Sequence, residues 1–197
     1  LLMLDKIVVF CGRYGSGKTT LAKLLYSCLI DKGYPCYQVS FSNLLKQKLG
    51  ALLKADFINN ADFKNESVIF KDKLISCRYL LQTLGDIIRS VDKDYFATHL
   101  CANLKRYKGG VVIIDDLRYY NEIVHLVSFA KRIHIVAINS DKSKETEANH
   151  SSENYDELMR FIKPLSAKNN HVSLLELDSY KARAVNNDKA VLLNFVL

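Results

Sequence analysis

Gly12, Arg13, Tyr14, Gly15, Ser16, Gly17, Lys18 and Thr19 form an uninterrupted G-x-x-x-x-G-K-[ST] run, and no other segment restricts the fold as tightly. Before it, residues 6–11 (Lys-Ile-Val-Val-Phe-Cys) are a β-branched and aromatic run of strand type. After it, Leu21, Leu24, Leu25, Cys28 and Leu29 recur at the spacing of one helix face. A strand, a glycine-rich turn and a helix in that order make a phosphate loop. The glycines let backbone N–H groups converge on an anion, the helix N-terminus adds positive dipole, Lys18 adds a charge, and the Thr19 hydroxyl can ligate Mg²⁺. Gly12 through Thr19, with Thr20 beside them, are therefore the expected nucleotide-binding residues.

Composition narrows the partners. The 197 residues, 49% hydrophobic and 25% charged, suit one domain with a real core, and residues 1–197 are read as a single unit. No apolar run approaches the ~18 residues of a membrane span, and Asp5 and Lys6 interrupt any signal-peptide pattern at the start. The net charge of +7 is dispersed, without a basic stripe bearing interleaved aromatics, so free nucleotides rather than nucleic acid or membrane are the expected anionic partners. Cys11, Cys28, Cys36, Cys77 and Cys101 have no zinc spacing and read as reduced thiols, which suggests a cytoplasmic protein.

Further along, residues 36–41 read as a second strand and Ser42 as the N-cap of a helix carrying Leu45, Leu49, Leu52 and Leu53. Residues 55–69 look irregular, and a helical zone is expected from about 71 to 107, broken near Ser90–Asp94. Residues 110–115 form a buried-type strand, 121–131 a helix, and 132–138 another buried strand. A helix at 154–162 and a strand at 181–186 are weaker expectations. Continuous apolar strands alternating with helices imply an α/β protein with a central parallel sheet covered on both faces. The expected core is 1–54 and 108–140 plus the strand near 181–186, with a helical part at 55–107.

Three further segments carry candidate chemistry. The strand ending at Asp115 and Asp116 delivers carboxylates to the sheet edge beside the phosphate loop, where either can serve a Mg²⁺ site. Arg118 stands close enough to reach a transferring phosphoryl group, or else pairs with Glu122 four residues on. Arg78, Gln82, Gly85 and Arg89 line one helical stripe opposite Leu80, Leu81, Leu84, Ile87, Ile88 and Val91. Such a stripe suits an anionic, hydrogen-bonding ligand, and equally a solvated face. The polar segment Asn139–Glu153, with Lys142, His150 and Glu153, is either a lid over phosphates or a surface loop.

These residues in their order resemble one family. Residues 78–96, R-Y-L-L-Q-T-L-G-D-I-I-R followed by D-K-D-Y-F, resemble the R-x-L-L-Q-x-x-G-x-x-x-R…D-x-D-[YF] signature of phage-type deoxynucleoside monophosphate kinases. Asp116-Leu-Arg118-Tyr-Tyr-Asn121-Glu122 is similar to their D-x-R-[FY]-x-N-E segment, and His150-Ser-Ser-Glu153 to their H-x-S-E. Phe41-Ser-Asn43-Leu-Leu-Lys46 partly matches F-[SA]-D-x-L-K. Animal-type phosphomevalonate kinases look more distantly similar. The chain departs from the pattern at Thr19, where the family tends to have Asp, at Asn43, which replaces an Asp, and across residues 154–180, which are longer than the family's.

The resemblance implies a three-layer P-loop kinase with a helical acceptor-binding part and a lid at 139–153. It implies that Arg78, Gln82, Arg89 and Asn43 bind a monophosphate acceptor, and that Lys18, Asp116 and Arg118 act on the reacting phosphates. Thr19 with Asp115 or Asp116 would hold the metal. The expected reaction is ATP- and Mg²⁺-dependent phosphorylation of a (deoxy)nucleoside monophosphate, with a homodimer left open. The alternatives are a kinase of another phosphorylated acceptor, such as phosphomevalonate, and a non-kinase P-loop ATPase switch.

Overall fold

The computed structural model describes residues 4–53, 66–70, 72–139, 155–178, 181, 182, 184, 185 and 189–197. Its centre is strand β1 (Leu4–Gly12), hydrogen-bonded on one side to β5 (Val111–Ile114) and on the other to β6 (Ala130–Asn139). Outside these lie β2 (Cys36–Val39) and β7 (Val172–Asp178), giving five parallel strands in the order β2-β5-β1-β6-β7. A separate antiparallel hairpin is made by β3 (Ser67–Phe70) and β4 (Lys73–Ser76).

The pleat of β1 explains the layers. Ile7, Val9 and Cys11 point to one face, where they pack with α4 (Tyr95–Leu104), α5 (Tyr120–Leu126) and α6 (Tyr155–Lys168). Val8 and Phe10 point to the other, covered by α1 (Lys18–Asp31) and α7 (Ala190–Val196). Ile7, Val8, Val9, Phe10 and Cys11 are all fully buried, as a strand roofed on both sides requires. A third, smaller cluster joins Leu44, Leu45 and Leu49 of α2 (Asn43–Leu53) to Cys77 and Leu81 of α3 (Cys77–Val91) and to Phe96. That cluster hangs the α2–α3 pair beside the sheet edge that carries the phosphate loop.

The structure changes four boundaries. The fifth strand is Val172–Asp178, and residues 181, 182, 184 and 185, expected in a strand at 181–186, are helical. As an edge strand with five of its seven residues half-buried or exposed, β7 lacks the continuous apolar run that marks an inner strand. The helical zone expected from 71 begins at Cys77, because residues 67–70 and 73–76 pair as a hairpin. Ser76 caps α3, its Oγ accepting from the N–H of Tyr79 at 3.1 Å. The expected break near Ser90–Asp94 is present, with α3 ending at Val91 and α4 starting at Tyr95. The helix expected over 121–131 stops at Leu126, and β6 already begins at Ala130. The helix expected over 154–162 runs on through Pro164 to Lys168.

All five cysteines are free and buried. Among the described residues no helix is long and apolar enough to cross a membrane.

Candidate nucleotide-phosphate site

β1 delivers the chain to Gly12 at the C-terminal edge of the sheet, between two parallel neighbours. Gly12 has φ 154°, and a Cβ there would lie 2.5 Å from the carbonyl oxygen of Ile138 on β6 and 2.7 Å from Ser16 Oγ. Only glycine fits so close a backbone crossing. Gly17, at φ 90°, turns the loop into α1 at Lys18. Lys18 Nζ donates to the carbonyls of Gly12 at 2.7 Å and Arg13 at 2.6 Å, with Ser16 Oγ at 3.5 Å. The ammonium is thus held over the loop. Thr19 and Thr20 are exposed in the first turn of α1.

Arg13 is turned the other way. Its Nη2 donates to both carboxylate oxygens of Asp156 on α6, at 2.9 and 2.8 Å, and the guanidinium lies 5.5 Å from the Tyr155 ring centroid. Beneath the loop, burial pushes the Cys11 thiol up to about 12, which favours its neutral form.

β5 brings Asp115 and Asp116 to the same edge, both half-buried. Asp116 accepts on both oxygens, with a lone pair of Oδ1 left over: Oδ1 accepts from the Phe41 N–H at 3.0 Å, and Oδ2 from Ser40 Oγ at 2.6 Å and the Ser42 N–H at 3.0 Å. Burial alone would raise its pKa, but the Ser40, Ser42 and Phe41 donors, with the nearby Lys46 charge, outweigh it and hold the carboxyl below its usual range. Asp116 therefore fastens the end of β5 to the turn that launches α2, where Asn43 is the first residue. Ser42, expected as the N-cap of this helix, has its N–H on Asp116, and Ser40, which the sequence pattern does not mark, donates to the same oxygen. Two serines in the short turn between β2 and α2 are the only local signal.

Arg118 and Glu122 do meet, through the backbone: Glu122 Oε2 accepts from the N–H groups of Arg118 at 2.9 Å and Tyr119 at 3.1 Å. Burial pushes the Glu122 carboxyl up to about 7 in spite of those two donors, with the Asp116 charge adding to the rise and Arg89 opposing it.

The α3 stripe is brought into this frame at both ends. Arg78 Nη2 donates to the hydroxyl of Tyr14 in the phosphate loop at 3.0 Å, with the guanidinium 4.6 Å from the ring centroid. Arg89 lies 4.4 Å from the Tyr119 ring centroid and 4.7 Å from that of Phe96. A Cβ on the buried Gly85 would stand 3.0 Å from Arg89 Nη1 and 3.5 Å from Leu45, so that glycine admits the guanidinium and the α2 contact. Gln82 is half-buried between the two arginines. A cleft of about 330 Å³ opens beside Arg89, lined also by Asp86, Ser90, Lys93, Tyr119, Tyr120 and Asn121. Lys142, His150 and Glu153 lie outside the described residues.

The residues present fit a magnesium-bound nucleotide. A glycine-lined loop, an ammonium already held by loop carbonyls, an exposed threonine hydroxyl and carboxylates on the neighbouring strand are the donor types such a group requires. Sheet order and loop position together define the architecture. The chain has an α/β fold with a phosphate loop at the edge of its parallel sheet.

No protein-family model matches this chain, and no curated protein matches it. Solved structures do resemble it. Kti12 from Chaetomium thermophilum, crystallised with ADP-AlF3, is 18% identical over 97% of this chain and 99% of that chain, with a TM-score of 0.45. Shikimate kinase from Bacteroides thetaiotaomicron is 12% identical over 96% of this chain and 98% of that chain, with a TM-score of 0.41. A cobyrinic acid a,c-diamide synthase from Mycobacterium smegmatis with bound ADP and magnesium is 16% identical over 96% and 82%, with a TM-score of 0.48. None of the three bears on what this chain acts upon.

Proposed function

We propose that the protein transfers the γ-phosphoryl group of ATP to the phosphate of a nucleoside monophosphate, with deoxynucleotides as the expected acceptors. The observation that carries this reading is the placement of the arginine stripe. A helix whose polar face holds Arg78, Gln82 and Arg89 meets the phosphate loop through Arg78 and Tyr14, so an anionic acceptor bound on the stripe would lie next to the donor phosphates.

In this reading Lys18 and the loop N–H groups hold the β- and γ-phosphates. Thr19 with Asp115 or Asp116 would hold Mg²⁺, which supplies charge neutralisation between those phosphates. Asp116 also keeps the β2–α2 turn, and with it Asn43, against the site. Arg78, Gln82 and Arg89 align the acceptor, whose phosphate oxygen attacks the γ-phosphorus as the bond to the β–γ bridging oxygen breaks. Arg118 meets the charge on the transferred group. An acceptor phosphate is already an anionic nucleophile, so alignment and charge neutralisation suffice without a general base. Lys142, His150 and Glu153 would close over the phosphates. Residues 1–197 would act as one kinase unit located in the cytoplasm, with no nucleic-acid or membrane partner.

The test is ADP formation from Mg²⁺-ATP with dAMP, dCMP, dGMP, dTMP, the ribonucleotides and phosphomevalonate as acceptors. ADP release dependent on a nucleoside monophosphate supports the reading. Release with phosphomevalonate alone moves the function to another phosphorylated acceptor, and nucleotide binding without acceptor-dependent turnover sinks the kinase reading.

A further inference from the structure

We propose that Glu122 is a positioning residue for both arginines at the far end of the site, acting through one buried carboxylate. The inference rests on the kinase reading for what Arg118 and Arg89 do, though not for what holds them. Glu122 is 2% exposed, and its Oε2 takes the N–H groups of Arg118 and Tyr119 at 2.9 and 3.1 Å. Its own N–H donates to the Tyr119 carbonyl at 3.2 Å, so residue 119 is gripped from two sides. Leu117, just before, is buried and donates its N–H to the carbonyl of Phe10 on β1 at 3.2 Å.

The turn from 117 to 119 is therefore pinned to the central strand at one end and to Glu122 at the other. Arg118 rides on that turn. Tyr119 extends the effect across to α3, because its ring stands 4.4 Å from the Arg89 guanidinium. Phe96 and Gly85 complete the seat of Arg89, but both belong to other elements and do not fix residue 119. The bond to the Tyr119 N–H closes the α5 capping box with Glu122 at N3, and the Arg118 N–H on the same oxygen extends that hold to the turn. Reach, rather than charge, is what the geometry asks of this side chain.

Two variants separate reach from charge. Glu122→Gln keeps an oxygen at the same distance, whereas Glu122→Asp keeps the charge and withdraws it by one methylene. Steady-state kinetics with the best acceptor are paired with the ¹H–¹⁵N signal of the Arg89 side-chain N–H, which the adjoining rings should shift upfield in the wild type. Glu122→Gln should keep the Arg89 signal and the wild-type constants. Glu122→Asp should lose most of the shift, with acceptor KM up about tenfold, kcat down about tenfold and ATP KM within about twofold. An unmoved Arg89 signal and wild-type acceptor constants in folded Glu122→Asp overturn the proposal, as does loss of the signal in folded Glu122→Gln. If the wild type phosphorylates no monophosphate, the kinase reading fails and the Arg89 signal alone decides this one.

Discussion

Arg78 and Tyr14 are 64 positions apart in the chain and meet twice, by a 3.0 Å hydrogen bond to the tyrosine hydroxyl and by a guanidinium 4.6 Å from the ring centroid. This pair is where the phosphate loop touches the α3 stripe. Tyr14→Phe removes the hydrogen bond and keeps the ring, whereas Tyr14→Ala removes both. With each contact worth ~1 kcal/mol at a partly exposed site, acceptor KM should rise about fivefold and then ~20-fold or more. Identical acceptor KM values in the three proteins would detach Tyr14 from the acceptor.

Lys18→Ala should cost at least ~10³-fold in ADP formation, since the donor aimed at the phosphates is gone and nothing else on the loop carries its charge to that place. The side chain is half-buried and donates to the Gly12 and Arg13 carbonyls within the loop, and the melting temperature should move by a few degrees at most. Calorimetry alongside the turnover assay checks both halves of the expectation.

Two glycine substitutions should differ sharply. Gly33 has φ 80° and open space around its would-be Cβ, so Gly33→Ala carries only the left-handed penalty of ~1 kcal/mol. At Gly12 the same methyl meets the Ile138 carbonyl at 2.5 Å, and neither backbone can yield without breaking the β1–β6 ladder. Gly12→Ala should destabilise by ~3 kcal/mol or more and abolish nucleotide binding. Urea unfolding with a nucleotide-binding isotherm measures the contrast.

Stability should carry two opposed pH dependences in the same window. Glu122 is pushed up to about 7 from 4.5, chiefly by burial and against Arg89, so its contribution is present at low pH and is lost as pH rises from 4.5 through 7. His134 is pushed down to about 4 from 6.5 by burial and by Lys6 and Arg132, and its Nδ1 sits 2.8 Å from Ser173 Oγ. Its contribution is present at neutral pH and is lost as pH falls from 6.5 through 4. Each amounts to roughly 3 kcal/mol at full extent. Relative to wild type, Glu122→Gln should gain stability as pH rises and His134→Gln should gain it as pH falls, both read from urea midpoints between pH 4 and 8. Parallel curves for either variant would show that its group does not titrate in this window.

The loop and the inner strands were legible because their signals are local. A G-x-x-x-x-G-K-T run, β-branched stretches of four to seven residues and a 3.6-residue apolar stripe depend on neighbours in the chain. The edge strand β7 and the β3–β4 hairpin were not, because a half-exposed strand has neither a continuous apolar run nor strict alternation. The four-residue spacing of Arg118 and Glu122 marks them as neighbours, but does not show that Glu122 would take the Arg118 backbone N–H.

The sequence by itself determined that this chain has an anion-binding loop between a buried strand and a helix, that strands and helices alternate, and that two arginines share one helix face. Each follows from side-chain period or from a fixed backbone geometry that only certain residues permit. Only the tertiary structure decided that Arg78 would reach Tyr14, that Asp116 would grip the turn from Ser40 to Ser42, and that Arg89 would lie on Tyr119 and Phe96. Those contacts join residues from different elements. They are set by strand order and by how α2, α3 and the β5–α5 turn pack, and short-range sequence pattern carries no record of either.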